Sequence, residues 1–448
     1  MNSERMKERL DALIQLGRHN ELRGAMMMLN EVDIAEYMAE LKKEHLLMVF
    51  RILPKDISAD VFAYLDDEKK QELIELIGDG EIRALIDDMF LDDAVDFLEE
   101  MPASVVRRIL QSTDEHTRNL INQFLRYPEN SAGSIMTIEY CEFHQGITAR
   151  QALDNLKRTG IDKETIYTLY IIDQSRRLCG TLALRRLIMA PDDALVETIM
   201  DTTVISVKTL DDQETVADTV RKYDLLTIPV VDNEERLVGI ITADDVMDVI
   251  EEENTEDFEK MAALLPSDDE YLKTSAFQLA KNRMPWLIVL MLSAILTGAI
   301  ITHFEGLLAG AVGLTAFIPM LMGTGGNCGA QASTLVIRGL ALGEVQFKDT
   351  LKVLWREFHV GLMVGLALAG LTFLRLMFLS QSGLTVSLVV SISLYCTVVF
   401  SKAIGCTLPL FAKRINLDPA LMASPLITTL VDICSLLIFF MIASQWML

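Results

Sequence analysis

The last hydrophobic stretch of the chain, from Leu421 to Leu448, carries a single carboxylate, Asp432. Roughly 20 apolar residues suffice for a helix to cross a bilayer, and an ionised acid at that depth costs on the order of 2.5 to 3.5 kcal/mol even on lenient scales. An acid retained there faces water or a cation, or else it is protonated or paired with a Lys or Ser for structural reasons. Pro425 lies early in the stretch, where a proline frees backbone carbonyls that a cavity-lining helix can turn toward an ion. Thr428 and Thr429 add hydroxyl oxygens, whereas Cys434 stands alone and reads as packing. Oxygen donors with no His or Cys at metal-ligand spacing suit a hard cation such as Mg2+ over zinc or copper.

A second stretch with chemical potential is Gly323 to Thr334, in which Gly325, Gly326 and Gly329 surround Asn327 and precede Gln331. Glycines let helices approach closely, and Asn327 and Gln331, four apart, share one helical face that close packing alone does not require. Acids form two further clusters. In the run Asp87 to Glu100, Asp92 and Asp96 sit four apart, an unfavourable pair unless a cation bridges them or the face is simply solvated. The densest run, Asp244 to Glu259, includes Asp245, Asp248, Glu253, Glu256 and Asp257 and precedes the first hydrophobic segment. His303 and His359 are isolated, and no nucleophile and base pair suggests an enzyme.

These residues must be positioned by four kinds of element. The chain has 448 residues and a net charge of -24; 58 acids and 30 bases precede Lys281, against 6 and 10 from there onward. So acidic a soluble part argues against nucleic acid or anionic lipid as its partner and for divalent cations or solvated faces. Six dispersed cysteines without a CxxC pair suggest a reducing compartment, and the charged start, without a cleavable signal, keeps the soluble part in the cytosol. Residues 1–130 show apolar positions at spacings of three and four, with Pro54 and Pro102 at helix first turns, which predicts a superhelix of short amphipathic helices. Residues 131–252 hold two copies of one pattern, Ser134 to Met136 answered by Thr198 to Met200, each reading as strand, helix, two strands and closing helix. This pattern resembles a pair of CBS domains, a family that often binds adenine nucleotides. In the second copy Thr242 and Asp245 match the residues that hold phosphate and ribose, whereas the first has Ala183 and Arg186 there. Residues 253–282 read as a connecting helix, and 283–448 as a membrane domain with spans near 284–304, 307–336, 353–379, 384–412 and 421–447. The basic residues flanking them place the N-terminus in the cytosol and the C-terminus outside. Lys402 falls inside the fourth span and either snorkels or pairs with Asp432.

The run Gly325 to Gln331, then Asp418-Pro419-Ala420, then Ser424-Pro425 with Asp432 seven residues on, looks like the MgtE family of magnesium channels. The order of parts is similar too, and the resemblance implies a multidomain membrane protein: all-α N-terminal superhelix, α+β CBS pair, connecting helix and five-span helical pore domain. It further implies a plasma-membrane homodimer with the pore on the two-fold axis between spans two and five, closed by the soluble part when Mg2+ is plentiful. Asp432 would be the pore carboxylate and Thr428 a backbone contributor, with Asn327, Gly329, Gln331, Ser424 and Pro425 along the path. Asp60, Asp92, Asp96, Asp212, Asp224, Asp245, Asp248, Glu253, Glu256 and Asp257 would hold regulatory ions. Mn2+, Co2+ or Ni2+ are alternative cargoes, and ATP is a candidate ligand of the CBS pair. Two rival readings are a proton-coupled transporter using Asp432 and a membrane-anchored adenylate sensor.

Overall fold

The computed structural model describes residues 3–267, 271–272, 274–310, 312–379 and 383–447, and the chain divides into two units, Met1–Ile250 and Glu251–Leu448. The first unit opens with ten short helices, α1 (Ser3–Gln15) to α10 (Glu115–Phe124), among them α5 (Lys55–Ala63), α8 (Leu91–Glu99) and α9 (Ala103–Ser112). Side-chain caps start several of them: Asn30 Oδ1 accepts from the Val32 amide at 3.0 Å, and Asp66 Oδ1 from the Lys69 amide at 2.8 Å. Such caps satisfy amides that have no partner inside the helix. Pro54 and Pro102 sit at the N-cap, one position before the first turn where the sequence places them. Their extended backbone serves as the cap itself. Phe62 meets Phe50 and Phe97 edge-on, with centroids 6.4 and 5.0 Å away, in the apolar core of these helices.

The repeat then folds as two three-stranded sheets of matching topology. In the first, β1 (Glu142–His144) lies parallel to β2 (Thr168–Ile172), which pairs antiparallel with β3 (Leu178–Ala183). In the second, β4 (Val207–Lys208), β5 (Thr227–Val231) and β6 (Leu237–Thr242) repeat the pattern, and both copies break register at the corresponding point, Ile171/Ile172 and Val230/Val231. Each copy lends its opening segment to the other. The Met136 sulfur would lie 2.6 Å from a Cβ placed on Gly239, and the Met200 sulfur 2.6 Å from one on Gly180. Thr137 bridges Ile240, and Thr181 bridges Asp201. The duplication is therefore interlocked, and only a hydrogen in place of a side chain lets the methionines cross these strands. The core of the N-terminal helices runs on into the second copy through Met136, Val216, Ile228 and Val246, while the first copy has a core of its own.

The helices of the CBS pair are α11 (Ala149–Thr159), α12 (Leu184–Met189), α13 (Val196–Ile199) and α14 (Gln213–Tyr223); α15 (Ala243–Met261) carries the acidic run and gives way at Ala263, whose φ is +55, with Pro266 and then α16 (Ala276–His303) further on. Beyond it come α17 (Glu305–Gly310), α18 (Ile318–Ala341), α19 (Thr350–Phe378), α20 (Leu384–Arg414) and α21 (Ser424–Met447). Among the described residues four helical segments are long and apolar enough to cross a membrane: Ala276–His303, Phe347–Phe378, Leu384–Arg414 and Pro419–Trp446. The second expected span, 307–336, is not one helix. It is divided into α17, a 3-10 stretch at Val312–Phe317, and α18, which starts where Pro319 occupies the first turn. With 24 residues α18 has the length of a span, but its glycines and amides dilute its hydropathy.

Because backbone and sulfur crowd Gly239, Gly239→Ala should cost about 1 to 3 kcal/mol, the range of core overpacking. Thermal unfolding should show Met136→Ala, added to it, recovering part of the loss.

Candidate functional site

Asp432 lies one turn beyond Thr428 on α21, partly buried, and its Oδ1 is fully buried with no hydrogen-bond partner among the described residues. An orphaned carboxylate oxygen in such surroundings marks a place for a proton, water or cation. Thr428 packs on α18: its Cγ2 would sit 2.9 Å from a Cβ on Gly326. Ile427 and Val431 cover Gly329, and Ser435 and Val431 cover Gly325. The glycines of α18 are thus the floor on which the Asp432 helix rests. On α20, a Cβ on Gly405 would collide with the Gly329 carbonyl oxygen. The two backbones touch with no side chain between them.

Asn327 and Gln331 occupy the opposite face of α18, exposed in the single chain. The structure therefore brings Gly329 and Thr428 together at the α18 and α21 contact and leaves the two amides turned away from it. Pro425 falls in the first turn of α21, where no intrahelical amide bond is lost. Its carbonyl accepts the Thr429 hydroxyl at 2.9 Å, so that hydroxyl is engaged within the helix. Ser424 opens α21, and its side chain lies outside the described residues. Lys402 is buried and pairs with Glu357 of α19 at 3.5 Å, which answers the choice the sequence left open between snorkelling and Asp432.

The second site is a nest of acids where the N-terminal helices meet the CBS pair. Asp92 and Asp93 start α8, Asp244 and Asp245 start α15, and Glu164 follows the first-copy helix. Burial, then Asp93, Asp245 and Glu164, push the Asp92 carboxyl well above the ordinary carboxylate range. Burial with Asp245, Asp60 and Asp244 lifts Asp93 to about 6, against a lowering from Lys70. Burial with Asp245, Asp93, Asp244 and Glu139 lifts Glu164 to about 7. Asp245 is raised chiefly by burial, although the Thr242 hydroxyl and amide donate to its Oδ2 at 2.5 and 3.2 Å. Asp92 Oδ1 is buried without a hydrogen-bond partner among the described residues. Oxygen donors of this kind fit a hard divalent ion in chemistry, yet among the described residues no three such side chains converge into a ready ligand set.

The remaining acids are dispersed. Asp60, Asp96 and Asp248 are exposed; Asp212 caps a helix by accepting from the Glu214 amide at 2.9 Å, and Asp224 closes the same helix with φ +51. Glu253 and Asp257 are partly buried along α15. Glu256 is held by Lys260, whose ammonium also reaches Asp418, both at 2.7 Å. Burial opposes the Lys260 charge, but hydrogen bonds to Asp418 and Glu256 prevail and push it up to about 12. Asp93, Asp244, Glu164 and Lys260 are participants that periodicity does not single out. Asp93 and Asp244 neighbour selected acids, whereas Glu164 has no local signal at all.

Fold and site together define a membrane-embedded helical bundle with an intramembrane carboxylate, preceded by a helical domain and a CBS pair. Family models match accordingly: the divalent cation transporter model MgtE over residues 318–442, the MgtE intracellular N domain over 29–130 and the CBS domain over 196–252. The magnesium transporter MgtE of Thermus thermophilus is 37% identical over 445 residues, 98% of each chain. That of Bacillus subtilis is 33% identical over 98% of this chain and 96% of its own. Among solved structures, the soluble part of a magnesium transporter aligns with a TM-score of 0.54 and 31% identity, over 56% of this chain and 99% of that one. The cytosolic domain of the Mg2+ channel MgtE in complex with ATP aligns with a TM-score of 0.51 and 38% identity, over 54% and 98%. The chain belongs to the MgtE family of magnesium transporters.

The nest sets a pH dependence whose sign is unusual for carboxylates. Folded-state values raised to about 6 and 7 mean that the metal-free fold holds these protons more tightly than the unfolded chain. That contribution is complete below the unfolded value of about 4 and is lost as pH rises through 6 and 7. Thermal unfolding in EDTA should therefore show lower stability at about pH 8 than at about pH 5.5, with Mg2+ removing most of the difference.

Proposed function

We propose that this chain is a Mg2+ channel of the plasma membrane that works as a homodimer, with its N-terminal part in the cytosol and its C-terminus outside. The observation that carries the reading is the orphaned Asp432 carboxylate on a helix resting on the glycines of α18. In the single chain it shares the membrane unit with two exposed amides, Asn327 and Gln331, polar groups that lipid does not satisfy. A second copy bringing the same face opposite would hide the amides and set two Asp432 carboxylates about one path. With α18 as the second span there are five in all, and the odd number puts the two termini on opposite sides. Mg2+ sheds its water reluctantly, so recognition falls to oxygens spaced for the hydrated ion. Asp432 and backbone oxygens near Thr428 and Gly329 would supply them, with Ser424 and Pro425 at the entrance.

Gating follows from the acids of the soluble part. Two carboxylates about 4 Å apart repel by roughly 4 kcal/mol at the effective dielectric of a protein surface. A few such contacts approach the ~5.5 kcal/mol that inverts a two-state population. Mg2+ held by Asp92 and Asp245, assisted by Asp93, Asp244 and Glu164, would remove that repulsion and favour the compact, closed state. Asp60, Asp96, Asp212, Asp224, Asp248, Glu253, Glu256 and Asp257 would hold further ions more loosely. ATP is a candidate modulator. In this chain Thr242 and Asp245 hydrogen-bond each other, so a nucleotide there would share or displace that contact.

The test is Mg2+ uptake into liposomes holding the full chain. Asp432→Asn should reduce uptake to the level of protein-free liposomes, while a parent-like rate would remove the pathway assignment. Flux should follow the Mg2+ gradient and membrane potential without proton countermovement; obligatory proton exchange would favour the coupled-transporter reading. Asp92→Asn combined with Asp245→Asn should leave flux high at millimolar internal Mg2+, where the parent is shut.

A further inference from the structure

We propose that the buried Lys402–Glu357 pair is a positioning brace for the ion pathway, acting through α20 on the Gly329 backbone. The proposal rests on the reading that ions pass along α18 and α21. Both side chains are nearly sealed from solvent, at 6% and 13% exposure. The Nζ to Oε2 separation is 3.5 Å and, among the described residues, Glu357 Oε2 receives no hydrogen bond, so the pair is held by unscreened charge and not by a short charge-assisted bond. A buried pair of this kind is not needed for stability, since apolar residues of like volume serve as well. Its location supplies a reason for it.

Lys402 lies on α20 between the two points that press on α18. The Ser401 carbonyl would stand 3.3 Å from a Cβ on Gly329, and Gly405 meets the Gly329 backbone directly. On the side of α19, Gly361 admits α20 so closely that a Cβ would lie 3.2 Å from Val399 Cα and 3.8 Å from Lys402 Cδ. The charge pair therefore ties α19 to a segment of α20 that meets the Gly329 backbone without a side-chain cushion. A displacement of that segment passes to Gly329, then to Ile427 and Val431 on α21, which flank Thr428 and precede Asp432. Neither charged residue lies on α18 or α21, so neither is assigned contact with the ion.

The experiment measures the Mg2+ concentration dependence and the preference for Mg2+ over Ca2+ of the full chain in liposomes, per reconstituted protein. Lys402→Met and Glu357→Gln should each raise the half-saturating Mg2+ by about tenfold, the usual scale for losing a positioning partner, and narrow the preference. Lys402→Arg should stay near the parent, whereas the neutral double variant Lys402→Met/Glu357→Gln, which folds without a stranded charge but lacks the tie, should keep the raised half-saturation. Singles that transport with parental half-saturation and preference would overturn the proposal, as would a double variant restored to the parent. If the singles fail to reconstitute, the double and Lys402→Arg carry the test, and a parental double or a loss in Lys402→Arg overturns it. Asp432→Asn, run alongside, separates failure of the brace from failure of the pathway: a transporting Asp432→Asn removes the pathway itself.

Discussion

Negative charge taken out of water is the constraint on which this molecule turns. A dehydrated carboxylate must find a proton, a donor or a cation, and each choice costs something different. At the seam between the N-terminal helices and the CBS pair, several carboxyls face one another, and burial and mutual repulsion raise their affinity for protons. In the membrane unit, Glu357 finds Lys402 and Asp418 finds Lys260, whereas the buried oxygen of Asp432 finds no protein donor among the described residues. Paired acids are settled.

The second constraint is geometric. Glycines 325, 326, 329 and 405 remove the side chains that would separate α18 from α20 and α21. Helices in lipid gain little from hydrophobic association, so close backbone packing is what holds them together. Packing without a cushion also transmits displacement, since a backbone atom cannot rotate aside as a side chain does. Rigidity around Gly329 thus serves cohesion. The CBS pair uses the same device, with Gly180 and Gly239 accepting the methionine of the opposite copy.

Between these regions lies α15, which belongs to both in sequence. Its first turn supplies Asp244 and Asp245 to the nest, and its last turn sends Lys260 to Asp418, the cap of the 3-10 turn leading into the Asp432 helix. Lys260 is an internal cation where the sequence shows only a field of acids. It gives Glu256 a fixed partner, so acids within one run differ in their readiness to meet Mg2+.

Much of this was legible from residue order. Apolar spacing and capping residues specify the short helices, because burial of one face is a local property of the pattern. The repeated Met and Gly positions announce the duplication, and one acid in an apolar stretch stands out because an ionised group is costly in lipid. Span 307–336 read as continuous because hydropathy averages over the break that Pro319 and the 3-10 stretch introduce. Partnership was the part that could not be read. Whether Lys402 meets Glu357 or Asp432, whether Asp92 looks to Asp96 or to Asp245, and that Glu164 joins the nest are distances between residues far apart in the chain. The sequence determined which groups carry charge and which faces are buried; only the tertiary structure decided who neutralises whom, since electrostatic energy depends on separation in space.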